Sequence, residues 1–320
     1  MSPRFALPDQ LGEAFSVRAA REAGVSEKRL RGPQFEVHFR GVRSRPVAAA
    51  FPTTAEAERD DAWRRIRAYS QIMPEHAFFV GPTAALIGGV PLPTGLHRDL
   101  YVGVEFPRTP PRRAGVRGRR VSTSGHTVTV SGLRVADPIL TWATLGEHLG
   151  EYDLVAATDH IIRVPRSPGG LVRLTRTRPY ATRERLEQIL LANRWRAAPK
   201  LRRALARART GASSRPETWT RLLIVDAGLP EPVLDHDIFD ERGTFVACGD
   251  TAYPHLKVLI EYEGDGHRER AQFECDIDRY SDVMELDWRA VRLTSAHVFR
   301  AQSEVVRRVC AAAAFRTPIG

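Results

Sequence analysis

Apolar positions along the 320-residue chain switch repeatedly between a helical and a strand period, and the switches predict the elements. In SVRAAREAGVSEKRLRG, Ser16 is placed to cap a helix with Ala19, Ala20 and Ala23 inside. Gly24 breaks that helix and Ser26 caps a second one through Arg31, a helix-turn-helix rhythm. QFEVHFRGVR alternates Phe35, Val37 and Phe39 against Glu36, His38 and Arg40, as a β-wing would. TAEAERDDAWRRIRAYSQIM is an amphipathic helix carrying Trp63, Ile66, Tyr69 and Ile72. HAFFVG and DLYVGVEF read as strands around a small helix, PTAALIGG, and HTVTVSGLRV as a strand pair across a Ser-Gly turn. DPILTWATLGEHL and EYDLVAATDHIIRV are apolar-faced helices, and ATRERLEQILLANRWRAAPKLRRALARAR supplies two more, broken near Pro199.

Beyond GASSRP at 211–216 the predicted order is a helix at 216–227, strands VLDHDIFD, TFVACGDTAY and KVLIEYEG, a helix at 267–286, strand WRAVRLT and a helix at 296–315. The helix at 267–286 is expected to bury Phe273, Ile277, Tyr280 and Met284. The last is expected to start at Ser295 and bury Val298, Phe299, Val305, Val306 and Val309. The small, polar, Pro-terminated segment GASSRP is the strongest boundary signal, dividing a central mixed α/β domain at 51–210 from a C-terminal α/β domain at 211–320. The first fifty residues form a third, winged helix-turn-helix domain in this α/β multidomain reading.

Composition narrows the class. A hydrophobic content of 42% suffices for ordinary packed cores. No run of 18 apolar residues suggests a membrane span, the start lacks a secretory pattern, and a cytoplasmic location is expected. Cys248, Cys275 and Cys310 have neither disulfide nor zinc spacing, so reduced structural thiols are expected.

The net charge of +10 is unevenly placed: residues 211–320 hold 13 Lys and Arg against 19 Asp and Glu, and residues 1–210 hold 35 against 19. A basic body joined to an acidic module fits a body that meets a polyanion and a module that holds cations. An Arg bias from a GC-rich genome accounts for the same totals. On the DNA-binding reading Lys28, Arg29 and Arg31 of the second helix meet phosphate. So do Arg112, Arg113, Arg119 and Arg120 of RRAGVRGRR, with RWRAAPKLRRALARAR as a second basic cluster. Helices on a hairpin and solvated Arg faces without any nucleic acid remain the alternative. His160 beside Asp159 has the look of half a catalytic pair, but no nucleophile motif accompanies it, and a helix histidine satisfied by its surroundings is the expectation.

The acids in KVLIEYEGDGH are the sharpest chemical signal. On a strand Glu261 and Glu263 share a face about 7 Å apart, and a hairpin through Pro254 could bring Asp250 about 5 Å from Glu261. Such carboxylates oppose one another's ionisation unless a hard divalent cation, Mg²⁺ or Mn²⁺, joins them. Gly264 and Gly266 permit a close approach of phosphate, and His267 is placed to transfer a proton. An exposed strand end with a helix-capping Asp is the plain alternative. In SRPE, Glu217 has a capping role from Ser214 and is also within reach of a metal on the nuclease reading.

The segment from Ser214 onward resembles the Vsr-like branch of the PD-(D/E)XK nucleases through SRPETWTRLLIVDAGLPEPVL, GDTAYPHLKVLIEYEGDGHR, AQFECDIDRYSDVMELDW and RAVRLT. The resemblance implies a restriction-endonuclease-like α/β sandwich with a mixed sheet. It makes Glu217 the helix acid, Asp250 the motif aspartate and Glu261 the motif glutamate. It lays E-x-D-G-x-x-H on Glu261, Glu263, Gly264 and His267, and Q-x-x-x-D-x-x-R on Gln272, Asp276 and Arg279. Asp250, Glu261 and Glu217 are then metal ligands, with Glu263, His267 and Gln272 completing the catalytic set. Glu263 stands where the wider superfamily has Lys. Lys257, about 13 Å from Glu261 by strand rise, is too far to replace that lysine. Residues 1 to about 210 resemble AbiEi-type antitoxins and related regulators through AREAGVSEKRLRGPQF, FVGPTAALIGGVPLP and SGLRVADPILTW. The expected function is a Mg²⁺- or Mn²⁺-dependent DNA endonuclease. The alternative is a DNA-binding regulator or antitoxin of a type IV toxin–antitoxin-like system whose nuclease-like domain is inactive. DNA is the expected partner, RNA and a homodimer stay open, and no membrane partner is expected.

Overall fold

The computed structural model describes residues 7–46, 53–122, 125–171, 173–174, 176–264 and 281–314. The chain divides into two compact units, Met1–Thr144 and Leu145–Gly320, each mixed α/β. Among the described residues no helix is long and apolar enough to cross a membrane.

The first unit opens with strand β1 (Ala14–Ser16), helices α1 (Val17–Glu22) and α2 (Glu27–Leu30), and strand β2 (Val42–Ser44). Ser16 and Ser26 cap the two helices through Ala19 N–H and Arg29 N–H, and Gly24 turns the chain between them at φ +83°. The expected wing does not form as an alternating strand. Phe35 packs edge-on against Phe15 and Phe39 against Tyr69, which buries two rings four residues apart and leaves Val37 59% exposed. β2 pairs antiparallel with β1 instead, with a single bridge from Glu36 to Ser44. Helix α2 is one turn, roughly 6 Å long, from its Ser26 cap to Arg31 at its C-cap, as expected.

Helix α3 (Thr54–Ser70) starts on a reciprocal capping box between Thr53 and Glu56 and buries Ala62, Ile66 and Tyr69. A six-stranded sheet follows from β3 (Ala77–Phe79), β4 (Leu100–Val104), β5 (Arg112–Arg113), β6 (Val116–Arg120), β7 (Thr127–Val130) and β8 (Leu133–Ala136), in the order β5-β6-β4-β3-β8-β7. β7 and β8 form the expected pair. Ser131 and Gly132, both at positive φ, make the tight turn whose twist suits a hairpin. Helices α4 (Gly81–Ile87) and α5 (Pro138–Leu145) cover this sheet, and Thr144 ties them by accepting from Gly81 N–H.

The second unit contains α6 (Glu151–Ile162), α7 (Arg183–Ala192), α8 (Ala198–Arg207) and α9 (Arg215–Asp226). Its sheet comprises β9 (Val233–Phe239), β10 (Phe245–Tyr253), β11 (Val258–Glu263) and β12 (Arg289–Thr294), in the order β12-β11-β10-β9. β9, β10 and β11 run antiparallel in turn, and β12 lies parallel to β11. Helices α10 (Ser295–Phe299) and α11 (Gln302–Ala313) close the described chain. One sheet face packs Tyr253, Val258, Ile260, Val291 and Leu293 against α9, α10 and α11. The other gathers Ile238, Ala247, Ala252 and Leu259 with Val283.

Two expectations change here. The final helix breaks at Arg300 and Ala301, and its first part is capped by Thr294 with His297 rather than by Ser295. Most of the helix expected at 267–286 lies outside the described residues. In its helical end at 281–285 Val283, not Met284, is buried against the sheet, and Met284 is 65% exposed. The second unit spans Leu145–Gly320, and a buried network runs through it on both sides of 211. Asp159 of α6 accepts from Arg209 N–H at 2.6 Å and from the Thr218 hydroxyl of α9 at 2.8 Å. Arg221, 1% exposed, lies 3.6 Å from Asp159, donates to Glu231 at 2.9 Å and to Arg207 O at 2.8 Å. Polar groups this deeply buried need their partners, so the network locks α6 and α8 onto α9 across the expected boundary.

Burial raises the Asp159 carboxyl to about 6, against the pull of Arg221. Between the ordinary Asp value of 3.8 and about 6 the folded chain therefore holds a proton that the unfolded chain releases. Stability falls as pH rises through that window, by up to about 3 kcal/mol from this group. Asp159→Asn is expected to remove this contribution, measured as urea-unfolding free energy across a pH series. An unchanged slope between about pH 4 and 6 would contradict it.

Candidate functional site

The β10–β11 ladder pairs Tyr253 with Val258, Ala252 with Leu259 and Thr251 with Ile260. The next residues outward are Asp250 and Glu261, so the two motif acids sit on adjacent strands where the paired ladder ends. Glu261 is 5% exposed and Asp250 is half-buried. Burying a carboxylate beside another acid carries a desolvation and repulsion cost that a cation or strong donors must offset. In β11 Glu261 follows three buried residues, Val258, Leu259 and Ile260, which fix its depth.

Glu263 and Glu217 have partners within their own unit. Glu263 accepts from Arg292 of β12 at 2.7 Å, across the parallel pairing that sets Glu261 opposite Arg292. Glu217, buried in the first turn of α9, accepts from Ser213 N–H at 2.6 Å, while the Ser214 hydroxyl accepts from Glu217 N–H. Burial pushes the Glu217 carboxyl up, and the Ser213 and Ser214 bonds pull it back. Among the described residues no three His, Cys, Asp or Glu side chains converge as a metal-ligand group. The donor set expected from Asp250, Glu261 and Glu217 is therefore not assembled; the residues that fit a divalent cation are the Asp250–Glu261 pair. His267 and Gln272, with Asp265, Asp276 and Arg279, lie outside the described residues. Lys257 sits at the far end of β11 in a left-handed conformation, with its ammonium on Leu286 O at 2.9 Å.

A second acidic group, which the sequence did not single out, lies on β9. Asp235 and Asp237 flank Arg166, with Asp235 at 3.0 Å, and Gly169 N–H donates to Asp237 at 3.2 Å. The Cys248 thiol donates to Asp235 at 3.2 Å, and burial pushes that thiol up to about 12, so it is neither a ready nucleophile nor a ready metal ligand. The β9–β10 register passes from Gly249 opposite His236 to Thr251 opposite Leu234, skipping Asp235 and Asp250 at the point where Asp235 takes a positive φ of 54°. The two acids in VLDHDIFD, spaced by two, were the available signal. His160 stacks on Tyr180 at 5.4 Å while Asp159 points into the Arg221 network, so the adjacent pair is not a catalytic dyad. Burial lowers the His160 imidazole to about 4.

The predicted basic residues divide sharply. Arg31 is tied to Glu27 at 2.9 Å, Lys28 is exposed and Arg29 half-buried on the single turn of α2. The second basic cluster is drawn into its own unit: Arg203 and Arg207 pair with Glu151, and Arg209 with Glu231. In the β5–β6 hairpin Arg112, Arg113, Arg117 and Arg120 are exposed and Arg119 half-buried. Arg112 stands opposite Arg117, and Arg117 reaches Asp99 at 2.6 Å.

No family model matches the chain. Two uncharacterized proteins from two strains of Mycobacterium tuberculosis are each 26% identical to it over 260 residues, spanning 79% of this chain and 87% of the relative.

Gly249 lies immediately before Asp250, and a Cβ there would fall 2.0 Å from Leu259 Cδ1, a side chain 1% exposed. Gly249→Ala is expected to overpack this layer and lower stability by about 1–3 kcal/mol in urea unfolding. A change below about 0.5 kcal/mol would show that Leu259 moves aside freely.

Proposed function

We propose that the chain is a Mg²⁺- or Mn²⁺-dependent DNA endonuclease, with a restriction-endonuclease-like core in its second unit. One observation carries the reading: Asp250 and Glu261 are brought to the same end of one antiparallel ladder, with Glu261 buried. The order α9, β9, β10, β11, β12 supports it, with three antiparallel strands, a parallel fourth and helices α9, α10 and α11 against one face.

Asp250 and Glu261 would hold the cation. When bound it lowers the pKa of a water and neutralises charge growing on the scissile phosphate. Burial of Glu261 keeps competing water from its carboxylate, and the Arg292 guanidinium fixes the neighbouring Glu263. The exposed arginines of the β5–β6 hairpin supply duplex affinity through phosphate contacts. Proton transfer by His267 and orientation of phosphate by Gln272 belong to the same proposal, carried by the motif alone.

A second reading is a DNA-binding regulator or antitoxin that keeps the acidic module as scaffold. The Glu263–Arg292 pair and the engagement of Glu217 by Ser213 favour it, since both withdraw carboxylates from metal binding.

Purified full-length chain is expected to nick supercoiled plasmid with Mn²⁺. Asp250→Ala and Glu261→Ala are each expected to slow nicking by roughly 100-fold or more, the scale of losing a group that stabilises transition-state charge. Equal nicking by all three forms would refute the assignment. Salt-sensitive promoter binding without cleavage by any form would favour the regulator.

A further inference from the structure

Phe106 is 81% exposed in the first unit, at the start of the segment FPRTPP that leads into the β5–β6 hairpin. Between Phe106 and Arg120 the chain carries six arginines and no acid. The segment is held in place rather than left to wander. Arg108 N–H donates to Glu105 O at 2.9 Å, and the Arg120 Nε donates to Arg108 O at 3.3 Å. At Gly118 of β6 a Cβ would fall 2.3 Å from Pro111 O, so this glycine is what lets the proline-rich backbone lie directly on the strand. Prolines 107, 110 and 111 restrict the segment further. The Arg120 guanidinium stands over the Phe106 ring at 5.9 Å, and the rest of the ring faces water.

A large apolar ring held in solvent amid concentrated positive charge has no role in the packing of its own unit. Its surroundings recognise a polyanion, and an aromatic face accepts any base by stacking. We propose that Phe106 is a base-stacking residue for single-stranded or locally opened DNA. The hairpin arginines hold the phosphate backbone while the ring stacks on an unpaired base. This rests on the DNA-binding part of the function proposed above and narrows its substrate from duplex to DNA with unstacked bases.

The test is fluorescence-anisotropy titration of a labelled single-stranded oligonucleotide, and of its duplex, with the full-length chain at several salt concentrations. Phe106→Ala is expected to weaken single-strand binding about tenfold, within the roughly 5- to 150-fold that one base–aromatic stack is worth. It should leave the slope of log affinity against log salt unchanged and affect the duplex less. Phe106→Trp should restore binding. Arg112→Ala with Arg113→Ala should instead flatten the salt slope, by about 0.7 for each phosphate no longer neutralised. If Phe106→Ala binds like the wild type while the salt slope persists, the stacking inference fails and the DNA-binding reading stands. A slope reduced by Phe106→Ala itself would also overturn it, because the ring would then act by placing arginines. Absence of DNA binding by the wild type would overturn both.

Discussion

The hydrogen-bonded register between β10 and β11 governs the chemistry available to the second unit. Pairing Thr251 with Ile260 leaves Asp250 and Glu261 as the next residues on adjacent strands. A slip by one residue would send alternate side chains to the opposite face and exchange the buried apolar sets. The register is held from both faces: Val258 and Ile260 pack among α9, α10 and α11, while Leu259 packs with Ala252 and Val283. Gly249 contributes by leaving room for Leu259 just behind the acids. Two carboxyl groups are thus brought to adjacent strands by apolar packing.

The same unit shows how the chain treats buried charge elsewhere. Arg221 is 1% exposed, yet Asp159, Glu231 and the Arg207 carbonyl surround it. Arg166 is likewise set between Asp235 and Asp237. These ion networks bind helices and strands to one another, and they engage Asp159, Glu231, Asp235 and Asp237 with arginines of the same unit. Glu263 and Glu217 are drawn into the same kind of structural engagement, one by Arg292 and the other by Ser213. The proposal rests on the placement of Asp250 and Glu261 at the end of one ladder and on the depth of Glu261.

Much of the fold was legible because its elements bury one clear stripe. The period of Ile66 and Tyr69 marked α3, the Ser131–Gly132 turn marked β7 and β8, and Ser214 with Pro216 marked the start of α9. What failed depended on long-range contacts. Phe35 and Phe39 alternate like a strand but are drawn to Phe15 and Tyr69, and the contacts of Asp159 with Thr218 and Arg209 join residues some fifty positions apart. In the candidate site, the adjacency of Asp250 and Glu261 followed from hairpin geometry. The engagement of Glu263 by Arg292 required knowledge of the parallel β11–β12 register, which no local pattern encodes. The Asp235–Arg166–Asp237 cluster was hidden for a similar reason, since its cation comes from a segment some seventy residues earlier.

The central claim is that the carboxylates of Asp250 and Glu261 act together as one cation site. Mn²⁺ binding to the full-length chain, followed by loss of the free-ion electron paramagnetic resonance signal, reads this without requiring a substrate. The account predicts a bound ion that is lost in Asp250→Asn and, equally, in Glu261→Gln, because a pair of ligands fails when either is removed. Undiminished binding in both variants, or no binding by the wild type, would contradict it.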